Sequence, residues 1–143
     1  MTCTFFGHSG CYDLDAVMLQ DAMEQLIGKG ISTFYVGNHG LFDRMVLRCL
    51  TNLKETHPHI SYSVVLAYFP KEKSSNDTYP TLYPEGQETV PPKFAIEKRN
   101  KWMIERSQYC LCYVNHTWGG AYRFAKRAKK RGLVVINLGN ADI

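Results

Sequence analysis

A chain of 143 residues is long enough to bury one real core without disulfides or metals. Hydrophobic residues at 45% and charged residues at 21% mark an ordinary globular domain and exclude a disordered tail; no apolar run approaches the roughly 20 residues that span a bilayer. A net charge of +4 is too modest to demand a polyanionic partner by itself.

Along the chain, strand and helix signals alternate. Thr2 to Phe6 is a short β-prone run stopped by Gly7. Asp13 or Asp15 can cap a helix over roughly Leu14 to Ile27, with Leu19, Ala22, Met23 and Leu26 on one face and Gly28 and Gly30 at its end. Ser32 to Val36 reads as the second strand, followed by the turn Gly37-Asn38-His39-Gly40. Phe42, Met45, Val46, Cys49, Leu50 and Leu53 then recur at helical spacing, the cleanest amphipathic pattern in the chain. Ile60 to Phe69 is the third strand. Residues 70–92 hold most of the prolines and no sustained period, so a long irregular loop is expected there, a candidate lid whose Tyr79, Tyr83 and Glu85 either cover a ligand or simply pack. Phe94 to Arg106 reads as helix, Tyr109 to Val114 as the fourth strand, Ala121 to Arg131 as helix and Leu133 to Leu138 as the fifth strand.

Strands separated by crossover helices predict a single α/β domain over residues 1–143. Its expected form is a Rossmann-like doubly wound parallel sheet of about five strands, with helices on both faces. In the order 3-2-1-4-5 the sheet direction reverses between the first and fourth strands, and a crevice opens there at the strand carboxyl ends. Gly7-His8, Gly37-Asn38-His39-Gly40 and Asn115-His116 through Gly120 all converge on that rim.

The segment from Tyr109 to Arg123 is the most informative. A buried strand ends in polar residues, turns on Gly119-Gly120 and enters a basic helix, an arrangement that offers backbone N–H groups and a helix N-terminus to an anion. Trp118 either packs or stacks on a base. Arg123 reaches the pocket from the first turn. Arg99, on the preceding helix beside Asn100 and four residues from Met103, is either a surface cation or a planar clamp for phosphate. Asp43 either supports the N-terminus of its helix or hydrogen-bonds a ribose or base. His8, His39 and His116 each follow a strand, but no carboxylate or cysteine joins them at ligand spacing, so no metal is expected. Neither G-x-G-x-x-G after the first strand nor a P-loop signature occurs, which argues against a dinucleotide dehydrogenase or a P-loop ATPase.

The remaining features have plain readings. The five cysteines lack paired zinc spacing, and Cys110 and Cys112 share one strand face as core residues of a reducing compartment. The N-terminus has neither a basic start nor a small-residue cleavage site, so a cytoplasmic location is expected. Arg123, Lys126, Arg127, Lys129, Lys130 and Arg131 line the solvated side of a helix whose Ala121, Phe124, Ala125 and Ala128 face inward. That pattern favours a solvated face over a nucleic-acid contact.

The combination of Phe5-Phe6-Gly7-His8, the run Phe34 to Asp43, Arg99-Asn100-Lys101-Trp102-Met103 and Thr117-Trp118-Gly119-Gly120-Ala121 resembles the SLOG superfamily over nearly the whole chain. It is most similar to the small single-domain members of Firmicutes and their phages. The resemblance implies a Rossmann-like fold, a nucleotide-derived small-molecule ligand and pairing of subunits into a homo-oligomer. The superfamily includes the LOG phosphoribohydrolases, DprA-like proteins and the sensor domain of Thoeris defence effectors, which binds cyclic ADP-ribose signals.

Its enzymatic branch carries Pro-Gly-Gly-x-Gly-Thr-x-x-Glu. Here Gly119 and Gly120 match, but Trp118 stands at the proline, Tyr122 at the later glycine, Arg123 at the threonine and Lys126 at the glutamate. Arg99 matches the upstream arginine of that branch. Phosphate recognition therefore carries over, whereas the catalytic glutamate does not, and a lysine opposes a developing oxocarbenium charge.

The expected function is non-catalytic sensing or sequestration of a nucleotide-derived molecule of the ADP-ribose or cyclic ADP-ribose type, as in a phage anti-defence sponge. No cofactor and no catalytic residue are assigned. The ligand-binding set is Gly7, His8, Gly37, Asn38, Gly40, Asp43, Arg99, Asn100, His116, Trp118, Gly119, Gly120 and Arg123. The alternative is a LOG-like nucleoside-monophosphate phosphoribohydrolase, or a related N-glycosidic hydrolase, with Asp43 or Glu105 replacing the missing acid.

Overall fold

A computed structural model describes residues 1–70 and 79–143. The sheet is parallel throughout, in the order β4-β3-β2-β1-β5-β6. Its strands are β1 (Thr2–Gly7), β2 (Thr33–Val36), β3 (Ser61–Val65), β4 (Thr81–Leu82), β5 (Tyr109–Tyr113) and β6 (Val134–Asn137). The helices are α1 (Ala16–Gly28), α2 (Gly40–Thr56), α3 (Ala95–Glu105) and α4 (Gly120–Lys130). The architecture is the doubly wound Rossmann-like one expected from the alternation of elements.

Two apolar layers sandwich the sheet. Alternate residues of β1 and β5 (Cys3, Phe5, Leu111 and Tyr113) join Leu19, Met23 and Leu26 of α1 and Phe42, Val46, Leu50 and Leu53 of α2 on one face. Phe6, Cys110 and Cys112 point the other way, against Met103 and Ile104 of α3 and Phe124, Ala125 and Ala128 of α4. The period-2 alternation of the strands thus meets one helical stripe on each side. Burial of that apolar area is the main favourable term in the fold.

Cys110 and Cys112 are packing residues; burial raises the Cys3 thiol above its ordinary value, and the contact with Cys112 followed by burial raises that of Cys110. Asp15, not Asp13, caps α1, its Oδ1 accepting the Val17 N–H at 2.8 Å.

Residues 79–92 of the expected loop hold more order than their composition predicts. A sixth strand, β4, adds to the sheet edge at β3, and single 3-10 turns follow at Gln87–Thr89 and Pro92–Phe94. Two residues between Pro80 and Pro84 are too short to show any period, so the sequence leaves β4 unmarked. Tyr79 and Tyr83 pack against the α1/α2 core layer, and Phe69 meets Tyr83 edge-to-face at 5.4 Å. The packing alternative therefore holds for both tyrosines. Residues 71–78 of the expected lid lie outside the described residues.

Gln87 ties this segment down. Its buried amide donates to the Ala67 carbonyl at 3.0 Å and to the Ala95 carbonyl at 2.7 Å, joining the end of β3 to the start of α3. Nothing in the sequence marks it.

Candidate functional site

All the β-to-α connections leave from one edge of the sheet, and the winding reverses between β1 and β5. A crevice of about 300 Å³ lies there, between the ends of β1 and β2, the buried face of α3 and the first turn of α4. Open α/β sheets bind ligands in this position.

Arg99 enters the crevice from α3. It is not a surface cation: only 2% of it is exposed. Its Nε donates to Asn100 Oδ1 at 2.8 Å, and Nη1 donates to the Val65 carbonyl at 2.9 Å and to Asn38 Oδ1 at 3.4 Å. Nη2 faces His39 Nδ1 at 3.4 Å and keeps donor capacity for a ligand. Burial pulls the guanidinium down from its ordinary value while Asp43 opposes the change, and an arginine stays charged at any physiological pH. The carbonyl of β3 and the amide of Asn100 hold the fork in place before any ligand arrives.

Asp43 lies on the other side of the same turn. Its Oδ2 accepts the His39 backbone N–H at 3.0 Å, so the capping reading is correct, and the carboxyl also lines the crevice. Burial pushes its pKa up to about 6, against the His39 N–H and the Arg99 charge, which both hold it down. His39 is pushed below the ordinary imidazole range by burial and then by Arg99.

Gly37 explains how the two charges come so close to the strand end. It is buried, and an added Cβ would lie 2.8 Å from Asp43 Oδ2 and 2.9 Å from Arg99 Nη1. A Cβ here would push aside the ends of both charged side chains. At Gly40 and Gly119 glycine is required by the backbone, with φ of +88° and +89°. Gly7 is different again. Its missing side chain makes room for the Phe42 ring, which a Cβ would meet at 2.2 Å, so Gly7 shapes the crevice floor through packing.

The far wall is the Gly119-Gly120 turn. The first backbone N–H groups of α4 have no intrahelical partner, among the described residues no side chain caps them, and a Cβ on Gly120 would meet nothing within 4 Å. Arg123 lines the crevice from the first turn, with its guanidinium 4.9 Å from the Phe124 ring centre. Lys126, at the position of the absent glutamate, does not line the crevice; it turns outward, donating to the Tyr122 hydroxyl at 3.1 Å.

Of the thirteen residues selected from sequence, the crevice wall thus gathers Gly7, Gly37, Asp43, Arg99, Asn100, Gly120 and Arg123. Asn38 stands behind Arg99 as an acceptor, and Gly40 joins α2 to the loop after β1, where the Leu41 N–H donates to the Ser9 carbonyl at 3.0 Å. His8, His116 and Trp118 form a separate feature beside the crevice. Their rings stack in a column, His8 on His116 at 3.8 Å and His116 on Trp118 at 3.9 Å. His8 Nε2 accepts the Asn115 N–H at 2.9 Å, and burial with the neighbouring His116 lowers the His8 pKa. Among the described residues no three His, Cys, Asp or Glu side chains group to hold a metal.

Several crevice residues escaped the sequence reading. Lys93, Ile96 and Glu97 form its outer lip, with Glu97 3.9 Å from both Lys101 and Arg127. Ile96, three residues before Arg99, shares its helix face and carries the one local signal; Glu97, two residues away, and Lys93, ahead of α3, carry none. Asn137 was also missed. Its amide brackets the end of β5 through Val114 N at 2.9 Å and Val114 O at 3.0 Å, fixing where the loop to Trp118 departs. Glu105, by contrast, is exposed and sits 3.8 Å from Arg106, away from the crevice.

The fold and the crevice define a Rossmann-like α/β protein with a buried arginine at the carboxyl ends of its parallel strands. Compared with protein-family models and with curated proteins, the sequence matches none. Among the described residues no helix is long and apolar enough to cross a membrane.

Proposed function

We propose that this protein binds a nucleotide-derived small molecule without cleaving it, as a cytoplasmic ligand-sensing or ligand-sequestering domain similar to those of the SLOG superfamily. The observation that carries the reading is Arg99: a buried guanidinium, pre-positioned by Val65 and Asn100, with Nη2 left for an anion. Opposite it are Arg123 and the uncapped start of α4. Two cationic walls and an N–H turn suit a phosphate, and two of them suit a diphosphate. Molecules of the ADP-ribose or cyclic ADP-ribose type fit that demand. Sequestration of such a signal, as in a phage anti-defence sponge, rests on the family resemblance. Subunit pairing belongs to the same resemblance, and light scattering checks it.

One observation favours a second reading. Asp43 is a carboxyl in the crevice with its pKa near 6, a value suited to general acid–base work, which keeps an N-glycosidic hydrolase in contention.

A single incubation separates the two. The protein is mixed with AMP, NAD and cyclic ADP-ribose isomers, and both products and heat-released ligand are identified by mass spectrometry. Intact ligand recovered in stoichiometric amount supports the binder. Turnover that disappears in Asp43→Ala establishes the hydrolase instead.

A further inference from the structure

The ring column beside the crevice has a free end. Trp118 is 68% exposed although one face of its indole lies against His116. A large aromatic left this open is usually mobile, but this one is backed twice. His116 Nδ1 is held 2.9 Å from the Trp118 carbonyl, and His8, behind it, is fixed through the Asn115 N–H. The planes deviate by only 19° and 17° from parallel, so the column presents a flat, pre-ordered terminal face.

That face borders the crevice. Trp118 lines a broad open basin along α4 together with Gly119, Gly120, Arg123, Lys126 and Arg127, and Gly120 and Arg123 also line the crevice. The two spaces therefore meet at the first turn of α4. A molecule with a phosphate over Gly120 and Arg123 has its remaining atoms directed either down to Arg99 or out across the basin to the indole.

The geometry points to the outer face of Trp118 as a nucleobase subsite, so that the ligand is a purine nucleotide stacked as the fourth ring of the column and not a sugar phosphate or free polyphosphate. This rests on the phosphate-binding reading of the crevice and specifies the ligand class it takes. Stacking on an exposed aromatic is tolerant of base identity but demands an aromatic ring. The extended area of an indole favours the larger overlap of a purine.

The test uses the intact chain and four probes: ADP-ribose, AMP, ribose 5-phosphate and pyrophosphate. Trp118→Ala should weaken the two purine nucleotides by roughly tenfold or more, as loss of a base–aromatic stack does. Trp118→Phe should recover most of that loss. Ribose 5-phosphate and pyrophosphate should bind the variant as they bind the unaltered protein, and the purines alone should quench the Trp118 contribution to fluorescence. An exposed side chain leaves the core untouched, so the melting temperature should stay within a degree or two. Unchanged purine affinity in Trp118→Ala overturns the subsite while leaving the crevice reading intact, as does equal weakening of all four probes. Failure of every probe to bind the unaltered protein overturns both.

Discussion

Arg99→Ala should sharply weaken binding of a phosphate-bearing ligand and should also weaken the fold. Hydrogen bonds between charged partners contribute about 1.5–3 kcal/mol each, so losing the guanidinium costs about 10- to 100-fold in affinity, since each 1.4 kcal/mol is about tenfold. The stability loss has a different origin. Arg99 is buried, and its removal strands the Val65 carbonyl and the Asn100 side chain and takes the neighbouring cation from Asp43. Orphaned buried partners cost about 1–3 kcal/mol each, so urea unfolding should show a loss of about 2–4 kcal/mol. Arg99→Lys keeps the charge but not the planar fork. It should retain more stability than the alanine variant and still bind poorly. Calorimetric titration beside urea unfolding of the two variants checks both statements. A fully binding Arg99→Ala protein would remove the basis of the functional reading.

The second large effect runs the other way. Asp43→Asn should stabilise the protein at pH 7.5 and leave it unchanged near pH 4. Burial raises the Asp43 pKa from its ordinary 3.8 to about 6, so the native state holds this proton more tightly than the unfolded chain does. Stability from the protonated form is complete below the unfolded value near 4 and is lost as pH rises through 6. Above that, the ionised carboxylate is a net cost of about 2 kcal/mol, taken at 1.36 kcal/mol per unit and reduced for partial solvation. The asparagine retains an oxygen for the His39 N–H and avoids the charge. Its melting temperature should exceed that of the unaltered protein by about 5 °C at pH 7.5, the gap closing on acidification.

His8 and His39 are shifted downward, so their neutral forms favour the fold above pH 6.5 and that contribution falls as pH drops. His8 lies outside the Asp43 network and affects both proteins equally, whereas His39 is bonded to Asp43 and moves with it, so the difference between variant and parent reports the Asp43–His39 turn. A stabilised variant with weakened ligand binding would mark Asp43 as strain kept for function.

How much of this was legible in the sequence depended on whether the cause was local. The α2 stripe from Phe42 to Leu53 is set by residues within one or two turns and reads directly, and the cap of α1 reads as one of two neighbouring aspartates, which the structure settles on Asp15. The strand order followed from alternation and chain-crossing rules, and the convergence of glycine turns on one rim followed from the order.

Contacts between distant segments were not legible. Gly37 is a glycine because α2 sends Asp43 and α3 sends Arg99 to the same point, a reason with no local trace. Gly7 reads as a rim turn in sequence but serves the Phe42 ring in space. Arg99 sits among polar neighbours on a helix that shows no wide apolar stripe there, so its burial emerges only when α3 is laid under β2 and β3. Trp118 stands out in the sequence as an aromatic beside the Gly119-Gly120 turn, yet the column it ends, through His116 to His8, joins residues over a hundred positions apart.

On the proposed function, the crevice holds a phosphate against Arg99 and leaves the ligand whole. Phosphorus and proton NMR of ADP-ribose test both halves in one sample. Adding the protein should shift or broaden the diphosphate resonances in proportion to the fraction bound, Arg99→Ala should leave them largely unperturbed, and the original spectrum should return in full after the protein is denatured. Resonances untouched by the unaltered protein, or free adenine or phosphomonoester signals growing with time, would contradict it.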